Sequence, residues 1–310
     1  MFEATVALLT YNGEKYLAQV LEMLQRQKLP PKEILAIDSG STDGTLQILE
    51  AHRIPVKQIS QSEFSHSGTR NLAARLSSTR YLVFLTQDAT PADNCWLECL
   101  LRPFQEYPEV AGVFSRQVPR PDADPLEKND IRLDFPSKRA IKKLGPESPM
   151  DRKKIWHWIK FSNSSSAYDL QILLKHPFDE RLSIAEDQEW ANRMLEQGYT
   201  LVYEPDSVVL HSHAHTIAQK FRRHREMGSA FSSFLQSRLG KRSTVLESGA
   251  CFYHIFLDAK FISRLSTPFF QKCKWMAVSP FHRAVIHYAY RRGWNNTSLF
   301  LVQKPEQPFD

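Results

Sequence analysis

Three groups of side chains in this sequence have the types and spacing to do chemistry. Glu186-Asp187 stand together at the start of a helix-like run through Leu195. A carboxylate pair there either caps the helix or takes a proton from an attacking hydroxyl as a general base. A free carboxylate titrates near ~3.9 and is ionised at neutral pH, a state the positive end of a helix favours. His211, His213 and His215 alternate along an extended segment, so all three fall on one side. Their imidazoles can face a ligand there or stay solvated. Arg70 carries a rigid fork of donors that suits a diphosphate, unless it is simply a surface arginine at a helix start.

These groups need a scaffold, and the chain has one. Thr5–Thr10, Glu33–Asp38, Val56–Ile59, Tyr81–Leu85 and Val110–Phe114 read as buried strands. Helical periodicity runs through Glu14–Gln27, through Leu46, Ile48 and Leu49 behind an Asp43 cap, and through Thr69–Leu76. Pro91 stands near the start of a helix that continues to Leu101. Strands alternating with helices predict an α/β fold with a central, mostly parallel sheet and right-handed crossovers. Ligands in such sheets bind at the carboxyl ends of the strands. Polar residues collect there: Thr10-Tyr11-Asn12, then Asp38 through Thr45, then Thr86-Gln87-Asp88-Ala89. No GxGxxG follows the first strand, which argues against a dinucleotide site.

Taken with His66-Ser67-Gly68-Thr69-Arg70-Asn71 and Glu186-Asp187, these motifs resemble family 2 glycosyltransferases of the GT-A fold. Those are inverting enzymes that use a nucleotide-diphosphate sugar. The set stands in family order over residues 5 to about 215. Thr86–Ala89, Ser67–Asn71 and the late His211-Ser212-His213 resemble bacterial rhamnosyltransferases more narrowly. The resemblance implies dTDP-rhamnose as donor and a surface polysaccharide as the glycan acceptor, free or lipid-linked; a UDP-sugar is the alternative donor.

It also implies roles. Thr10, Tyr11, Asn12, Asp38, Gly40, Arg70, Gln87 and Asp88 bind the nucleotide sugar, with Tyr11 lining the base slot and Asp38 accepting from a base N–H. Asp187 is the base and Glu186 positions it. Asp88 matches the last acid of the family's DxD metal motif, but Thr86 replaces the first. His211 or His213 compensates, holding Mn2+ or Mg2+ with Asp88, the imidazoles favouring Mn2+. The Gln-x-x-Arg-Trp signature of processive members is absent, implying one sugar per event. Trp156, Trp158 and Trp190 either stack on a sugar or fill the core, and Phe161 through Ser166 offers hydroxyls and an amide to the acceptor.

Composition and charge bound the rest. The 310 residues are 42% hydrophobic and 24% charged, with a mean hydropathy of -0.41, which excludes disorder and a membrane span. The opening Met-Phe-Glu-Ala-Thr has no basic n-region and reads as a strand rather than a secretion signal. Cys95, Cys99, Cys251 and Cys273 have neither redox nor zinc spacing and are expected as buried thiols in a reducing cytoplasm. Net charge is +6, yet 216–310 holds 15 Lys/Arg against 5 Asp/Glu, so the body is slightly acidic.

The expected division is a glycosyltransferase domain over 1–215, with a nucleotide half (1–115) and an acceptor half (116–215), then a helical extension over 216–310. Residues 116–154, polar and rich in Pro, Asp and Lys, read as a mobile excursion over the site. Cations interleaved with aromatics in 216–310 fit a cytoplasmic protein docked on the anionic inner face of the membrane. No nucleic-acid reader motif is present. A sugar nucleotidyltransferase would need a Gly-rich basic loop after the first strand, and Gly13-Glu14-Lys15 is a poor one; a silent scaffold with the same fold is the non-enzymatic rival.

Overall fold

A computed structural model describes residues 2–144 and 154–296. In chain order, β1 (Ala4–Thr10), α1 (Glu14–Gln25), β2 (Glu33–Asp38), α2 (Thr45–Ala51), β3 (Val56–Gln58), α3 (His66–Leu76) and β4 (Tyr81–Thr86) alternate. Their strands pair in parallel in the order β3-β2-β1-β4. Parallel neighbours need crossovers, and the helices that supply them bury the sheet. α1 turns Leu17, Val20, Leu21 and Leu24 inward at helical spacing, all fully buried. Each such side chain contributes roughly 1.5–3 kcal/mol of burial.

Then come β5 (Thr90–Pro91), α4 (Trp96–Leu101), α5 (Pro103–Glu106), β6 (Val110–Val118), α6 (Pro125–Asp134) and β7 (Ala140–Lys142). α7 (Ile155–Ile159), β8 (Ser165–Asp169), α8 (Leu170–Lys175), α9 (Glu186–Glu196) and β9 (Thr200–Leu210) follow, and among the described residues the sheet has nine strands. β8 runs antiparallel between β4 and β6. Its register sets Ser165 opposite Leu85, and the Thr86 N–H donates to the Ser164 carbonyl at 3.1 Å. The turn before β8 is thereby pinned to the carboxyl end of β4.

Several elements differ from the sequence reading. α3 begins at His66 because Ser65 caps it, accepting from the Gly68 N–H at 3.0 Å. Pro91 lies in the short strand β5, which pairs with β9 alone, so its missing N–H is not needed by a second neighbour. Residues 116–154 are not a structureless excursion: they hold the end of β6, all of α6 and β7, while 145–153 lie outside the described residues. Asp124 caps α6 by accepting from the Leu126 and Glu127 N–H groups, and Pro125 occupies its first turn. The four cysteines are free, but none is fully buried and Cys273 is exposed.

The C-terminal part folds as α10 (Ile217–Leu239), α11 (Thr244–Ser263) and α12 (Phe269–Asn295). No helix among the described residues is long and apolar enough to cross a membrane. α10 rests on α7 and the start of α9, with Phe231 edge-on to Trp156 at 4.9 Å. Arg283 on α12 pairs with Asp258 of α11 and Asp130 of α6, both at 2.7 Å, fastening the helices to the body.

α10 and α12 cross at glycines. A Cβ on Gly228 would strike the Tyr290 carbonyl, and one on Gly293 the Arg225 carbonyl, whereas Gly249 in α11 faces open space. Gly228→Ala should lower stability by about 1–3 kcal/mol. Gly249→Ala should raise it by about 0.5–1 kcal/mol. Thermal unfolding checks the pair, and wild-type melting of Gly228→Ala would contradict the crossing.

Candidate active site

The nucleotide-side candidates gather at the ends of β1, β2 and β4. Asp38 is fully buried. Its Oδ1 accepts from the Gly40 and Ser41 N–H groups at 3.0 and 2.9 Å, and its Oδ2 from the Thr10 and Ser41 hydroxyls at 2.8 and 2.6 Å. All four acceptor positions are therefore used by Thr10, Gly40 and Ser41, so a base N–H reaches this carboxylate only if one of them releases it. Gly40 has φ +89°, which a side chain rarely tolerates. Asn12 adopts φ +46° and accepts from the Thr42 N–H at 2.9 Å. Gln87 braces Tyr11 with two 2.8 Å bonds, one to its N–H and one to its carbonyl. The Gln87 amide lies so close to Gly13 that a Cβ there would overlap it.

Asp88 lies one residue beyond, 3.5 Å from His211 Nε2 and 3.4 Å from His213 Nδ1. One ligand atom from each of the three falls within 4.8 Å of the others, a spacing that fits a metal ion. Burial alone raises a carboxyl, but the charge and hydrogen bond of His211, then His213 and Thr86, outweigh it and hold Asp88 well below the usual range. Burial, with His211 beside it, pushes His213 down to about 3 and leaves that imidazole neutral, with a lone pair to give. His211 Nδ1 lies 2.8 Å from Gln117 Oε1, and the Gln117 amide donates to Ser162 at 2.8 Å. That orientation makes Nδ1 the donor and turns Nε2 toward Asp88. His215 stacks on His213 at 4.7 Å.

Residues that sequence reasoning did not place complete this end. Arg120, buried and lying 3.8 Å over the Tyr16 ring, donates to the Asp88 carbonyl at 2.8 Å. Glu127 of α6 accepts from the His213 N–H. Both come from the stretch read as mobile, where polarity concealed their burial.

The acid pair lies across the turn before β8. Ala185 is left-handed, at φ +64°, and launches α9 so that Glu186 is buried and Asp187 half-buried. Glu186 Oε1 meets Arg70 at 3.0 Å, both side chains under 8% exposed. Burial works to raise Glu186, but Arg70 above all overcomes it and holds the carboxyl low. Asp187 accepts from the Asn163 N–H at 3.0 Å and the Gln188 N–H at 2.8 Å. Burial, then the Glu186 charge, push it up to about 7. It is not the ordinary carboxylate that the sequence suggests.

Of the other acceptor-side candidates, Asn163 and Trp190 turn inward, Trp158 is half-buried, and Trp156 stays exposed. Asn163 is buried and donates to Glu186 at 3.1 Å. Trp190 lies in the core, its indole N–H on the His176 carbonyl, and Trp158 packs against that core. Trp156 packs on Phe231.

The carboxyl ends of a doubly wound sheet thus carry a histidine–carboxylate cluster and, one turn away, a high-pKa acid. Residues 5–177 match the model of "Glycosyl transferase family 2". The chain belongs to glycosyl transferase family 2. It is a glycosyltransferase with the GT-A fold. It is 32% identical to the O-antigen chain rhamnosyltransferase RfbN of Salmonella typhimurium, over 76% of this chain and 75% of that one. With the rhamnosyltransferase WbaN of Salmonella anatum the identity is 34%, over 72% and 70%. Among solved structures, the mannosyltransferase PcManGT of Pyrobaculum calidifontis, in complex with GDP-Man and Mn2+, superposes with a TM-score of 0.61. It covers 94% of this chain and 87% of its own, at 17% identity, a likeness of fold.

Removing Arg70 strands a buried charge on Glu186. Arg70→Met should cost about 3–5 kcal/mol. Since the pair holds the folded-state Glu186 carboxyl low, its contribution is present above the ordinary carboxylate range and fades as pH falls through the lowered value. The melting deficit of Arg70→Met should therefore be larger at pH 8 than in acid; an equal deficit throughout would refute the pairing.

Proposed function

We propose that this glycosyltransferase inverts: it moves a sugar, rhamnose from dTDP-rhamnose, onto a glycan acceptor of a bacterial surface polysaccharide, with Asp187 as the base. The observation that carries the reading is the elevated Asp187 carboxyl, held through Asn163 beside the end of β4 that bears Asp88. A base titrating near the working pH combines an available ionised form with useful basicity. The acceptor oxygen attacks the anomeric carbon, its proton passes to Asp187, and the bond to the phosphate oxygen breaks with the electron pair leaving on the nucleotide. Glu186, kept ionised by Arg70, raises the basicity of its neighbour. Tyr11, Asn12 and the Asp38–Gly40 loop shape the nucleotide slot, and Thr10 and Gln87 hold that shape.

One carboxylate and two imidazoles fit a divalent cation of intermediate softness, so Asp88, His211 and His213 are assigned Mn2+ in preference to Mg2+. When bound, the cation supplies positive charge at the diphosphate. Rhamnosyltransferase relatives over most of the chain support the rhamnosyl donor. A UDP-sugar is the second reading, since the structural neighbour TarS of Staphylococcus aureus, TM-score 0.53, is solved with UDP.

Asp187→Asn should lower transfer by roughly 10²–10⁴-fold while nucleotide binding persists. In the wild type, kcat/KM should climb with pH and level off above about 7, because the raised carboxyl must lose its proton. Glu186→Gln should move that limb to lower pH. Transfer by Asp187→Asn within tenfold of the wild type would remove the base assignment.

The acceptor is assigned to the anionic inner face of the cytoplasmic membrane, reached through the C-terminal helices. Phe252 and Phe256 on α11 and Phe269, Phe270 and Phe281 on α12 are 61–81% exposed, beside a lysine- and arginine-rich sequence. Exposed aromatics with cations are the composition of an interfacial surface. The protein should sediment with vesicles containing phosphatidylglycerol, and Phe252→Ser/Phe256→Ser should weaken this. Undiminished sedimentation with neutral vesicles in high salt would exclude electrostatic docking.

A further inference from the structure

Arg223 belongs by sequence to the basic run of α10, but its position on the helix sets it apart. It shares a stripe with Met227, Ala230 and Phe231, the face that packs on α7 and α9. Its neighbour Arg222 is exposed, whereas Arg223 is half-buried. The packing that aims it is firm: Thr216 and Gln219 form a capping box at the helix start, and Arg238 near the other end donates to Asn192 of α9 at 3.3 Å.

Arg223 faces the active site. Its charge is felt by Asp187 and Glu186 on α9, Asp88 after β4, His66 on α3, and His213 and His215 between β9 and α10. Yet among the described residues its guanidinium makes no hydrogen bond and no ion pair. A guanidinium has five N–H donors, and those of Arg223 are not sealed from solvent, so they stand open to a ligand. Four carboxylates attract this cation, Glu226 of its own helix and, across the site, Asp187, Glu186 and Asp88; none is paired with it, so a gap separates it from the three site acids. A doubly charged anion beside the Asp88–His211–His213 cluster would fill such a gap. Arg70, the other fork near the acid pair, is taken by Glu186 and the His66 carbonyl.

Resting on the glycosyltransferase reading above, we propose that Arg223 is a catalytic residue that binds the donor's diphosphate together with the Asp88–His211–His213 cluster. As the bond between the anomeric carbon and the phosphate oxygen breaks, both electrons stay on that oxygen. Arg223 then hydrogen-bonds the growing charge on the departing nucleoside diphosphate, while the acceptor's proton goes to Asp187. The C-terminal helices are in this view part of the catalytic machinery.

The test uses the full chain with Arg223→Gln, Arg223→Lys and Arg222→Gln, titrated calorimetrically with dTDP and dTMP in the presence of Mn2+, with UDP/UMP and GDP/GMP pairs in parallel so that no base is assumed. Arg223→Gln should bind the diphosphate about 10- to 100-fold more weakly, the worth of a charged hydrogen bond, with the monophosphate little changed. Arg223→Lys should recover part of the loss, and Arg222→Gln should match the wild type. Melting of Arg223→Gln close to the wild type shows that the loss is not unfolding. Unchanged diphosphate affinity, an equal loss of monophosphate, no recovery with lysine, or a wild type that binds no nucleoside diphosphate would each overturn the proposal. If the diphosphate contact behaves as expected but no sugar is transferred from any donor, the donor and acceptor assignments fail and the Arg223 site stands.

Discussion

The site depends on one buried residue, Asn163, through both its backbone and its side chain. Its N–H holds Asp187 and its amide nitrogen holds Glu186, while its amide oxygen accepts from Ser166 and Tyr168 at 2.9 and 2.6 Å. The next residue, Ser164, accepts from Thr86, two positions before Asp88. A single turn thus couples the acid pair on α9 to Asp88 after β4. β8 exists to deliver that turn: without an antiparallel strand between β4 and β6, the two carboxylates would sit on elements with no common anchor. Preorganisation of this kind lets polar groups act without rearranging at the moment of reaction.

Electrostatics then divides the labour between two adjacent acids. Glu186 has the guanidinium of Arg70 and stays ionised, while Asp187 has burial and a negative neighbour and is raised to about 7. Environments that push like groups apart are how one site holds an acid and a base. The arrangement costs stability. An acid whose folded pKa exceeds its unfolded value binds more protons in the native state, so stability falls as pH rises from about 4 to about 7. At Asp88 the balance is reversed, and there the charge is stabilised by the imidazoles around it.

The parallel half of the sheet was legible because its strands are apolar on both faces: Val6 and Val83 on one face, Ala7 and Phe84 on the other, read as core and are core. The motifs at the strand ends were legible for the same reason, standing out against apolar runs. β8 was not, since Ser165-Ser166-Ala167-Tyr168-Asp169 is mostly polar and its burial comes from neighbours distant in sequence. α6 was hidden likewise, its buried Asn129 satisfied by Asp258 at 2.8 Å. Residue identity alone did not show that Asp38 is saturated by Thr10 and its own loop, that Arg70 is committed to Glu186, or that Arg223 turns away from the basic surface. Charge counts along a chain carry no direction, and direction is what α10 supplies.

The central claim is geometric: Asp187 deprotonates an acceptor that attacks from the face opposite the departing nucleotide. The most direct measurement is the anomeric configuration of the transferred sugar, read by proton NMR on the product of the wild-type enzyme and compared with the donor. A product whose anomeric configuration is opposite to the donor's is the result predicted here. A product that keeps the donor configuration would contradict single displacement, and with it the role given to Asp187.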